Sequence, residues 1–312
     1  MKKNTDLGRV ITAMVTPFKD GCHNHVDYFG AMKLANHLLR NGTDTLLLTG
    51  STGEAAQMTE SEKRQLINAV HDNIPSNAKI MVSTGDTNTI RVIEKSKNAF
   101  NQGADAVLVS VPEYIKPPQK DLYEHFSRIA KSVSGRAVFV YNIPGRTGTE
   151  ILPETVARLA HNHPNIVGIK QSMPDLDKVS EMRMMCPAEF QIYSGDDSLT
   201  LPMLSLGAKG VISVASHLQG QLINDMIKAF NTNPKKAAEI HQLLFPLFKA
   251  LFSTTNPIPI KQALYHQGLI DSPVLRTLGT MTETDKENLH AALQRFENNK
   301  NLFLSKTQTK NK

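Results

Sequence analysis

The sequence lacks the residues and segments that mark several large protein classes. It contains no tryptophan and only two cysteines, Cys22 and Cys186, which are too few for a disulfide framework. No segment approaches the roughly 18 consecutive apolar residues that a membrane-spanning helix needs. Residues 1–6 (MKKNTD) lead into a short apolar stretch without the hydrophobic core of a signal peptide. These absences predict a cytoplasmic protein with no membrane partner.

A concentrated basic surface is also missing, although the net charge is +6. Six lysines in the polar ends of the chain equal this whole excess: Lys2, Lys3, Lys300, Lys306, Lys310 and Lys312. No basic stripe with interleaved aromatic residues occurs elsewhere. The charge distribution therefore predicts no nucleic-acid partner.

What the sequence does contain is a repeated series of apolar, β-branched runs. There are eight, separated by about 20 to 35 residues, a spacing that suits a crossover helix with its loops. They are Val10–Val15, Thr45–Leu48, Lys79–Val82, Ala106–Val111, Ala137–Tyr141, Ile166–Lys170, Phe190–Tyr193 and Gly210–Val214. Continuous apolar strands that alternate with helices are typical of a parallel sheet buried on both faces.

Helical patterns lie between these runs and continue after the last one. One follows Thr59, a predicted N-cap with Glu62 three residues later. Others cover residues 121–133 and 153–160. Eight strand–helix units predict a (β/α)₈ TIM barrel over residues 1–233, an α/β fold. Helical patterns at 234–251, 258–267 and 282–296 predict a small C-terminal helical appendage over 234–304, and the polar residues 305–312 predict a disordered tail.

The competing fold is an open, doubly wound sheet. It should carry a glycine-rich phosphate-binding motif after its first strand. Residues 15–21 (VTPFKDG) are not such a motif, so the barrel is favoured.

Lys170, at the end of the sixth apolar run, is the most informative residue. A lysine withdrawn from water loses its proton more easily, and a neutral amine can attack a ketone to form a Schiff base. Taken alone, a lysine at a strand end with its ammonium group in water is the commoner arrangement.

Other reactive or ligand-binding residues also follow predicted strands. Residues 50–54 (GSTGE) could bind a carboxylate or phosphate through backbone N–H groups, or form an ordinary turn. Tyr141 could carry a proton, or only pack its ring in the core. Arg146 could bind a carboxylate, or lie on the surface. The C-terminal strand ends of a barrel meet at one mouth, so these residues are expected to lie together.

Metal ligation is not predicted. Asp196 and Asp197 lack an obvious histidine or glutamate partner, and an N-cap near Ser198 is the better interpretation. Residues 22–25 (CHNH) lack the fourth ligand and the spacing of a zinc site. A strand-end lysine, a tyrosine, an anion-binding turn and an arginine together indicate class-I aldolase chemistry on a 2-oxo acid. That chemistry needs no cofactor, because the Schiff base is itself the electron sink.

The sequence resembles the dihydrodipicolinate synthase family, which lies within the wider pyruvate-dependent lyases that include N-acetylneuraminate lyase. The resemblance runs from about residue 8 to about residue 269. The motifs that carry it are residues 8–18, 141–148, 193–202, 210–216 and 255–261.

The resemblance implies a condensation of pyruvate with L-aspartate-4-semialdehyde and a role for each matching residue. Lys170 matches the Schiff-base lysine, and Tyr141 matches the tyrosine that moves protons. Ser51 matches a hydroxyl that links Tyr141 to a second tyrosine. Tyr114 matches that second tyrosine, which reaches into the neighbouring subunit and implies a tight dimer, commonly paired into a tetramer.

The substrate-binding positions follow from the same resemblance. Thr52 matches a residue that holds the pyruvate carboxylate, and Arg146 matches the arginine that binds the aldehyde substrate's carboxylate. Gly195 and Ile212 match positions that line the pyruvate pocket. The alternatives are another pyruvate-dependent aldolase with a different aldehyde, and a non-catalytic paralog that binds a 2-oxo acid.

The chain also departs from the family pattern. Ser51 replaces a threonine, the Glu-Ala pair usual after the lysine is Gln171-Ser172, and Glu113 replaces the first tyrosine of a pair. Residues 274–279 also differ. Some branches of the family are inhibited by lysine, at positions that correspond here to Ala55, Glu60, Lys63, Thr87, Arg91 and Glu113. Because Lys63 and Arg91 would repel a cation, little lysine inhibition is predicted.

Overall fold

The computed structural model describes residues 6–21 and 24–309, with the side chains given as far as residue 305. Eight parallel strands form a closed barrel in chain order, each paired with its sequence neighbours and β8 with β1. The strands are β1 Val10–Ala13, β2 Thr45–Leu48, β3 Lys79–Ser83, β4 Ala106–Ser110, β5 Ala137–Asn142, β6 Ile166–Gln171, β7 Gln191–Ser194 and β8 Gly210–Ser213. The predicted TIM barrel is therefore confirmed.

Helices follow the strands around the outside of the barrel. They are α1 Tyr28–Arg40, α2 Glu60–His71, α3 Thr89–Asn101, α4 Gln119–Ser132, α5 Pro144–Thr147, α6 Pro153–Asn162, α7 Leu176–Met185, α8 Thr200–Ser205 and α9 Ser216–Thr232. Thr59 caps α2 as predicted: its hydroxyl accepts a hydrogen bond from the Glu62 N–H, and the Glu62 carboxylate accepts one from the Thr59 N–H at 2.8 Å. This capping box places the start of α2 just beyond the turn at residues 50–54.

Two apolar layers make the barrel stable. The outer layer lies between strands and helices and includes Val10, Leu46, Val140 and Ile169. The inner layer fills the barrel and includes Phe139, Tyr141, Tyr193 and Ile212. Alternate residues of one strand enter opposite layers, so each strand is apolar on both faces, which is why the strands are readable as continuous apolar runs.

Three helices follow the barrel. They are α10 Pro234–Ala250, α11 Ile258–His266 and α12 Glu283–Thr309, and α10 packs against both α9 and α12. The last helix continues beyond residue 305, where the sequence predicts a disordered tail, and ends at Thr309; residues 310–312 lie outside the described part. No helix in the described ranges is long and apolar enough to cross a membrane.

Strand register determines which side chains meet at the barrel mouth. In the β5–β6 ladder Tyr141 pairs with Lys170, and in the β6–β7 ladder Lys170 pairs with Tyr193. Lys170 therefore lies level with the last residues of its neighbouring strands. The site is built at this end of the barrel.

Candidate active site

Two lysines are buried near the barrel mouth, and their surroundings differ. Lys170 is 6% exposed and Lys261 is fully buried. Lys261 Nζ lies 2.6 Å from a Glu54 carboxylate oxygen, whereas Lys170 has no carboxylate partner within 4.0 Å among the described residues. An ammonium group held by a buried carboxylate is a poor nucleophile. Lys170 is therefore the better candidate for attack on a carbonyl group.

Tyr141 faces Lys170 across the β5–β6 ladder. Lys170 Nζ lies 4.5 Å from the centroid of the Tyr141 ring, and both side chains are buried. Both residues line a cavity of about 180 Å³. The other residues around this cavity include Ser51, Thr52, Ile143, Arg146, Ser172, Gly195, Asp196, Val214, Phe252 and Asn256. The structure thus brings together six of the eight predicted site residues.

The turn at residues 50–54 forms one wall of the cavity. Thr52 is buried, and Ser51 is exposed toward the cavity. The Thr16 hydroxyl donates a hydrogen bond of 2.7 Å to the Gly53 carbonyl oxygen. A Cβ at Gly53 would come 3.1 Å from the Met14 carbonyl oxygen, so glycine permits this close packing. The turn is therefore held firmly against the end of β1.

A buried ionic network fixes the other end of the same turn. Glu54 adopts a left-handed backbone conformation, with φ of 52°, and its carboxylate accepts hydrogen bonds from the Lys261 ammonium and from the Arg276 N–H at 3.2 Å. Burial lowers the pKa of Lys261 to about 8, while the Glu54 carboxylate opposes this shift. Arg276 also forms an ion pair with Glu62, the partner of Thr59 in the capping box of α2. The network ties the turn to the C-terminal segment.

Arg146 lies on α5, the short helix that begins at Pro144. Its guanidinium group is exposed at the cavity and donates a hydrogen bond of 3.2 Å to the Asn256 carbonyl oxygen. The Asn256 side chain in turn donates a hydrogen bond of 2.9 Å to the Thr52 hydroxyl. Asn256 thus connects the residues expected to bind the two substrate carboxylates.

Gly195 approaches Lys170 very closely. A Cβ built on Gly195 would lie 3.0 Å from Lys170 Cε and 1.8 Å from Ser172 Oγ. A larger residue would overlap the Ser172 hydroxyl and crowd Lys170, so the glycine leaves room for both side chains. The Ser172 hydroxyl is buried and has no hydrogen-bond partner among the described residues. It replaces the family's usual alanine at the cavity wall.

Ile212 and Tyr114 are the two predicted residues that the structure does not place around this cavity. Ile212 is buried in the inner layer of the barrel with Tyr141, and Val214, two residues later, lines the cavity instead. Tyr114 is 89% exposed, and its backbone has a left-handed φ of 69°. Such a conformation is strained for a tyrosine.

Polar residues at and behind the cavity wall support the site through hydrogen bonds. The Asn142 side-chain amide donates a hydrogen bond of 3.0 Å to Gln171 Oε1. The two buried side chains thus form an uncharged, hydrogen-bonded pair. Asp196 caps the following turn by accepting a 2.8 Å bond from the Ser198 N–H, as predicted. Buried Asp197 accepts hydrogen bonds from the backbone N–H groups of Val214 and Ala215 at 3.1 Å, and burial raises its pKa.

A second, larger cavity of about 690 Å³ adjoins the first and shares Ser51, Tyr141, Ile143 and Arg146 with it. All six positions that correspond to the family's lysine-binding residues line it: Ala55, Glu60, Lys63, Thr87, Arg91 and Glu113. Lys63 pairs with Glu60 at 2.8 Å, and Arg91 lies 3.8 Å from Asp86. Glu60 and Asp86 are thus paired with the protein's own cations, whereas Glu113 forms no ion pair among the described residues.

Metal ligation has no support in the described ranges, where no group of three histidine, cysteine, aspartate or glutamate residues is close enough to hold an ion. Cys22 and His23, which belong to the only histidine–cysteine motif in the sequence, lie outside the described residues.

Three residues of the site escaped sequence reasoning: Glu54, Asn256 and Lys261. Asn256 and Lys261 lie in a recognised motif, but their partners are some 200 residues away in the chain. The one local sequence signal is a lysine among the apolar residues of α11. The segment reads IPIKQAL, in which Lys261 and Gln262 lie between apolar residues.

The chain matches the model of the dihydrodipicolinate synthetase family over residues 6–296. It is 52% identical over 265 residues to a 4-hydroxy-tetrahydrodipicolinate synthase from Acaryochloris marina, covering 85% of this chain and 89% of the relative. A synthase of the same name from Prochlorococcus marinus is 48% identical over 292 residues, covering 93% and 96% of the two chains.

A solved structure shows the same likeness in three dimensions. The dihydrodipicolinate synthase of Cyanidioschyzon merolae, crystallised with lysine bound, superposes with a TM-score of 0.90 and 40% identity. The match covers 93% of this chain and 98% of that one. The protein described here belongs to the dihydrodipicolinate synthase family.

Proposed function

We propose that this protein is a lyase that condenses pyruvate with L-aspartate-4-semialdehyde through a Schiff base on Lys170, the activity for which its relatives are named. The observation that carries the proposal is the position of Lys170 Nζ. It is buried in a cavity, free of a carboxylate partner among the described residues, and 4.5 Å from the ring of Tyr141. The product of this condensation belongs to lysine and diaminopimelate biosynthesis.

The reaction begins when Lys170 attacks the pyruvate ketone and water leaves. Thr52 and the backbone N–H groups of the turn at residues 50–54 hold the pyruvate carboxylate. Loss of a methyl proton then gives an enamine, which attacks the aldehyde carbon of the second substrate while Arg146 binds that substrate's carboxylate. The substrate's amino group finally displaces Lys170 by transimination. The protonated Schiff base takes up the electron pair left by the methyl proton, and the enamine then gives that pair to the aldehyde carbon, so no external cofactor is needed.

Proton transfer requires a group that can give and take a proton near the reacting carbon. We assign this role to Tyr141, and the assignment is supported by the presence of Tyr141 and Ser51 around the same cavity. Tyr114 would complete the relay from a neighbouring subunit. Its full exposure and strained backbone support that assignment, because strain in an exposed residue is retained where it serves function.

A homodimer follows from this arrangement, since each site then needs one tyrosine from its partner. Two such dimers would form the tetramer that the resemblance implies. We further propose a cytoplasmic location, where pyruvate is available.

The test is reduction with borohydride in the presence of pyruvate, followed by peptide mass mapping. One reduced pyruvate adduct is expected, on the peptide that contains Lys170 and not on the one that contains Lys261, which is also buried. Lys170→Arg keeps the charge and should abolish the adduct. Turnover is then measured with aspartate semialdehyde.

The outcomes separate the candidate functions. An adduct with turnover of aspartate semialdehyde supports the proposal. An adduct without such turnover would favour an aldolase that uses another aldehyde. No adduct in folded protein would leave the non-catalytic paralog as the better interpretation.

A further inference from the structure

The buried ion pair between Lys261 and Glu54 has no role in the proposed reaction, although Glu54 is the last residue of the turn at residues 50–54. Both side chains are withdrawn from water: Glu54 is 3% exposed and Lys261 is fully buried. Lys261 Nζ lies 2.6 Å from Glu54 Oε1 and donates a further hydrogen bond of 2.9 Å to the Val274 carbonyl oxygen. Removing two charges from water is costly, and an uncharged pair of similar size is often equally stable. Stability alone therefore does not explain an ion pair at this position.

The backbone of Glu54 has an unfavourable conformation. Its φ of 52° and ψ of 35° lie in the left-handed region, which a glutamate rarely adopts. Both carboxylate oxygens hold this position, because Oε1 binds the Lys261 ammonium group and Oε2 accepts a hydrogen bond of 3.2 Å from the Arg276 N–H. These partners lie on α11 and on the segment that follows it, outside the turn. They therefore fix the place where the turn ends.

The Lys261 ammonium group is held in turn by an aromatic ring. It lies 4.1 Å from the centroid of the Phe18 ring, and the guanidinium carbon of Arg276 lies 4.7 Å from the same centroid. Phe18 is 1% exposed and follows β1 in the chain. A cation beside a buried aromatic face is attracted to the ring. The ammonium group therefore has little freedom to move away from Glu54.

Thr52, the proposed ligand of the pyruvate carboxylate, lies only two residues before Glu54. The Thr52 hydroxyl is held by Asn256 at 2.9 Å, and the Gly53 carbonyl is held by Thr16 at 2.7 Å. Neither of these bonds fixes the C-terminal end of the turn. A shift at Glu54 would move the backbone N–H groups that precede it, because the turn is short. A displacement of about 1 Å in a binding group can cost a large factor in activity even when its cause lies outside the site.

We infer that Lys261 is a positioning residue: through Glu54 it holds the turn so that the Thr52 hydroxyl and the backbone N–H groups face the pyruvate carboxylate. This inference rests on the proposed function, because it concerns the same pyruvate. Lys261 does not line the cavity that contains Lys170, so its effect on the substrate passes through the turn. Loss of the pair should therefore weaken pyruvate binding more than it slows the later steps.

The experiment measures pyruvate binding by borohydride trapping, as the pyruvate concentration that gives half of the maximal adduct on Lys170. Lys261→Met alone would leave the Glu54 carboxylate buried without a partner. The test variant therefore combines Lys261→Met with Glu54→Gln, which removes both charges and keeps an oxygen for the Arg276 N–H. An uncharged pair of similar size should leave the fold about as stable as in the wild type. The half-saturating pyruvate concentration is expected to rise about tenfold or more.

Turnover separates positioning from general damage to the site. At saturating pyruvate, the double variant should keep a kcat within about twofold of the wild-type value, and the KM of aspartate semialdehyde should change no more than that. A loosened or partly unfolded site would lower kcat as well. Urea unfolding of both proteins checks that stability is retained.

The ion pair between Lys178 and Glu150 provides a matched control. Its charged atoms lie 2.5 Å apart, Lys178 is on α7 and Glu150 just precedes α6, and neither residue lines the cavity. Lys178→Met combined with Glu150→Gln removes this pair in the same way. It should leave the half-saturating pyruvate concentration unchanged.

An unchanged half-saturating pyruvate concentration in the stable double variant would overturn the inference and leave the Lys261–Glu54 pair with a purely structural role. A fall in kcat as large as the loss of pyruvate binding would also overturn it. Absence of any pyruvate adduct in the wild type would instead contradict the proposed function.

Glu54→Asp takes the place of the double variant if that protein does not fold. It keeps the charge, and aspartate tolerates the left-handed backbone, but the shorter side chain draws the carboxylate away from Lys261. Weaker pyruvate binding with kcat retained would support the inference. Unchanged pyruvate binding in Glu54→Asp would decide against it.

Discussion

Lys170 Nζ lies 4.5 Å from the centre of the Tyr141 ring, and the two residues are register partners in adjacent strands. Their separation is therefore fixed by the hydrogen bonds of the β5–β6 ladder and does not depend on any loop. Groups held on rigid strands keep reactive geometry more accurately than groups on loops. The proposed nucleophile and the proposed proton carrier occupy this rigid part of the site, whereas Arg146 lies on a short helix beyond the strand end.

Arg146→Ala is expected to impair use of aspartate semialdehyde while leaving the first half-reaction intact. The guanidinium group faces the cavity but does not contact Lys170, so pyruvate should still form its adduct. Loss of a charge-assisted contact to a carboxylate should lower kcat/KM for the aldehyde by about tenfold to a hundredfold. Steady-state kinetics and borohydride trapping measure the two steps separately.

Arg158→Ala is the control for this prediction, because Arg158 lies on α6, stacks over Tyr123 at 4.5 Å and does not line the cavity. It should leave both measurements unchanged. Loss of the pyruvate adduct in Arg146→Ala would show that the arginine serves pyruvate instead.

Mixing a Lys170 variant with a Tyr114 variant should restore activity that neither variant has alone. Lys170→Ala has no nucleophile, and Tyr114→Phe should lose about a hundredfold in kcat through loss of the relay. If Tyr114 crosses to the partner subunit, a mixed dimer has one site with both wild-type residues. Random mixing of the two variants should then restore about a quarter of the wild-type rate, because half of the dimers are mixed and each has one of two sites intact.

Mixing gives no gain if Tyr114 acts within its own subunit, since no mixed dimer would contain an intact site. Tyr265→Phe alters another exposed tyrosine, on α11, and should have no effect on the rate. Dimer formation is checked by sedimentation before and after mixing.

Lysine should inhibit this protein weakly. The six positions that correspond to the family's lysine-binding residues line one cavity, but Lys63 and Arg91 now face it. Their positive charges oppose a cationic effector. The initial rate should stay nearly unchanged in millimolar lysine, and Arg91→Glu should increase the sensitivity. A micromolar inhibition constant for the wild type would contradict this prediction.

The ion pair between Glu62 and Arg276 should protect the fold against mild acid. Hydrogen bonding to the Arg276 guanidinium lowers the pKa of Glu62 from 4.5 to about 2. The unfolded chain takes up its proton first, so the stabilisation is complete at neutral pH and is lost as the pH falls from about 4.5 toward 2. Hydrogen bonds from Thr59 also lower this pKa, so the pair and the capping box together contribute on the order of 3 kcal/mol, of which about 1 kcal/mol is lost by pH 4.

Urea unfolding of the wild type and Glu62→Gln at pH 7 and pH 4 tests this. The difference in the free energy of unfolding between the two proteins should shrink at the lower pH. Glu283→Gln removes an exposed pair with Lys286 and should show little effect at either pH. A difference that grows on acidification would contradict the assigned cause.

Much of the fold was predictable because a parallel barrel buries both faces of its strands. Runs such as Ile166–Lys170 are therefore apolar throughout, and their spacing leaves room for one helix each. The capping box of Thr59 and Glu62 was equally readable, because both partners lie within one turn of chain. The limits of the first strand were less accurate: β1 ends at Ala13, although the apolar run continues to Val15.

The roles of Asn256, Lys261 and Glu54 could not be read in this way. Each depends on a partner far away in the chain, and asparagine, lysine and glutamate are ordinary surface residues when seen locally. Only the closed barrel and the return of the C-terminal segment bring Asn256 to Thr52 and Lys261 to Glu54. The same holds for Tyr114, whose exposure appears only in the folded chain.

The sequence by itself determined the barrel, the lysine at the end of its sixth strand and the residue types around it, since local apolar periodicity and strand ends are encoded within short segments. The tertiary structure decided which of the two lysines buried in the described part of the chain lacks a carboxylate partner, which asparagine connects Thr52 with Arg146, and which tyrosine is left exposed. Those properties arise from contacts between distant segments. Burial and ion pairing are set by the whole packed barrel, because only folding removes water from these groups.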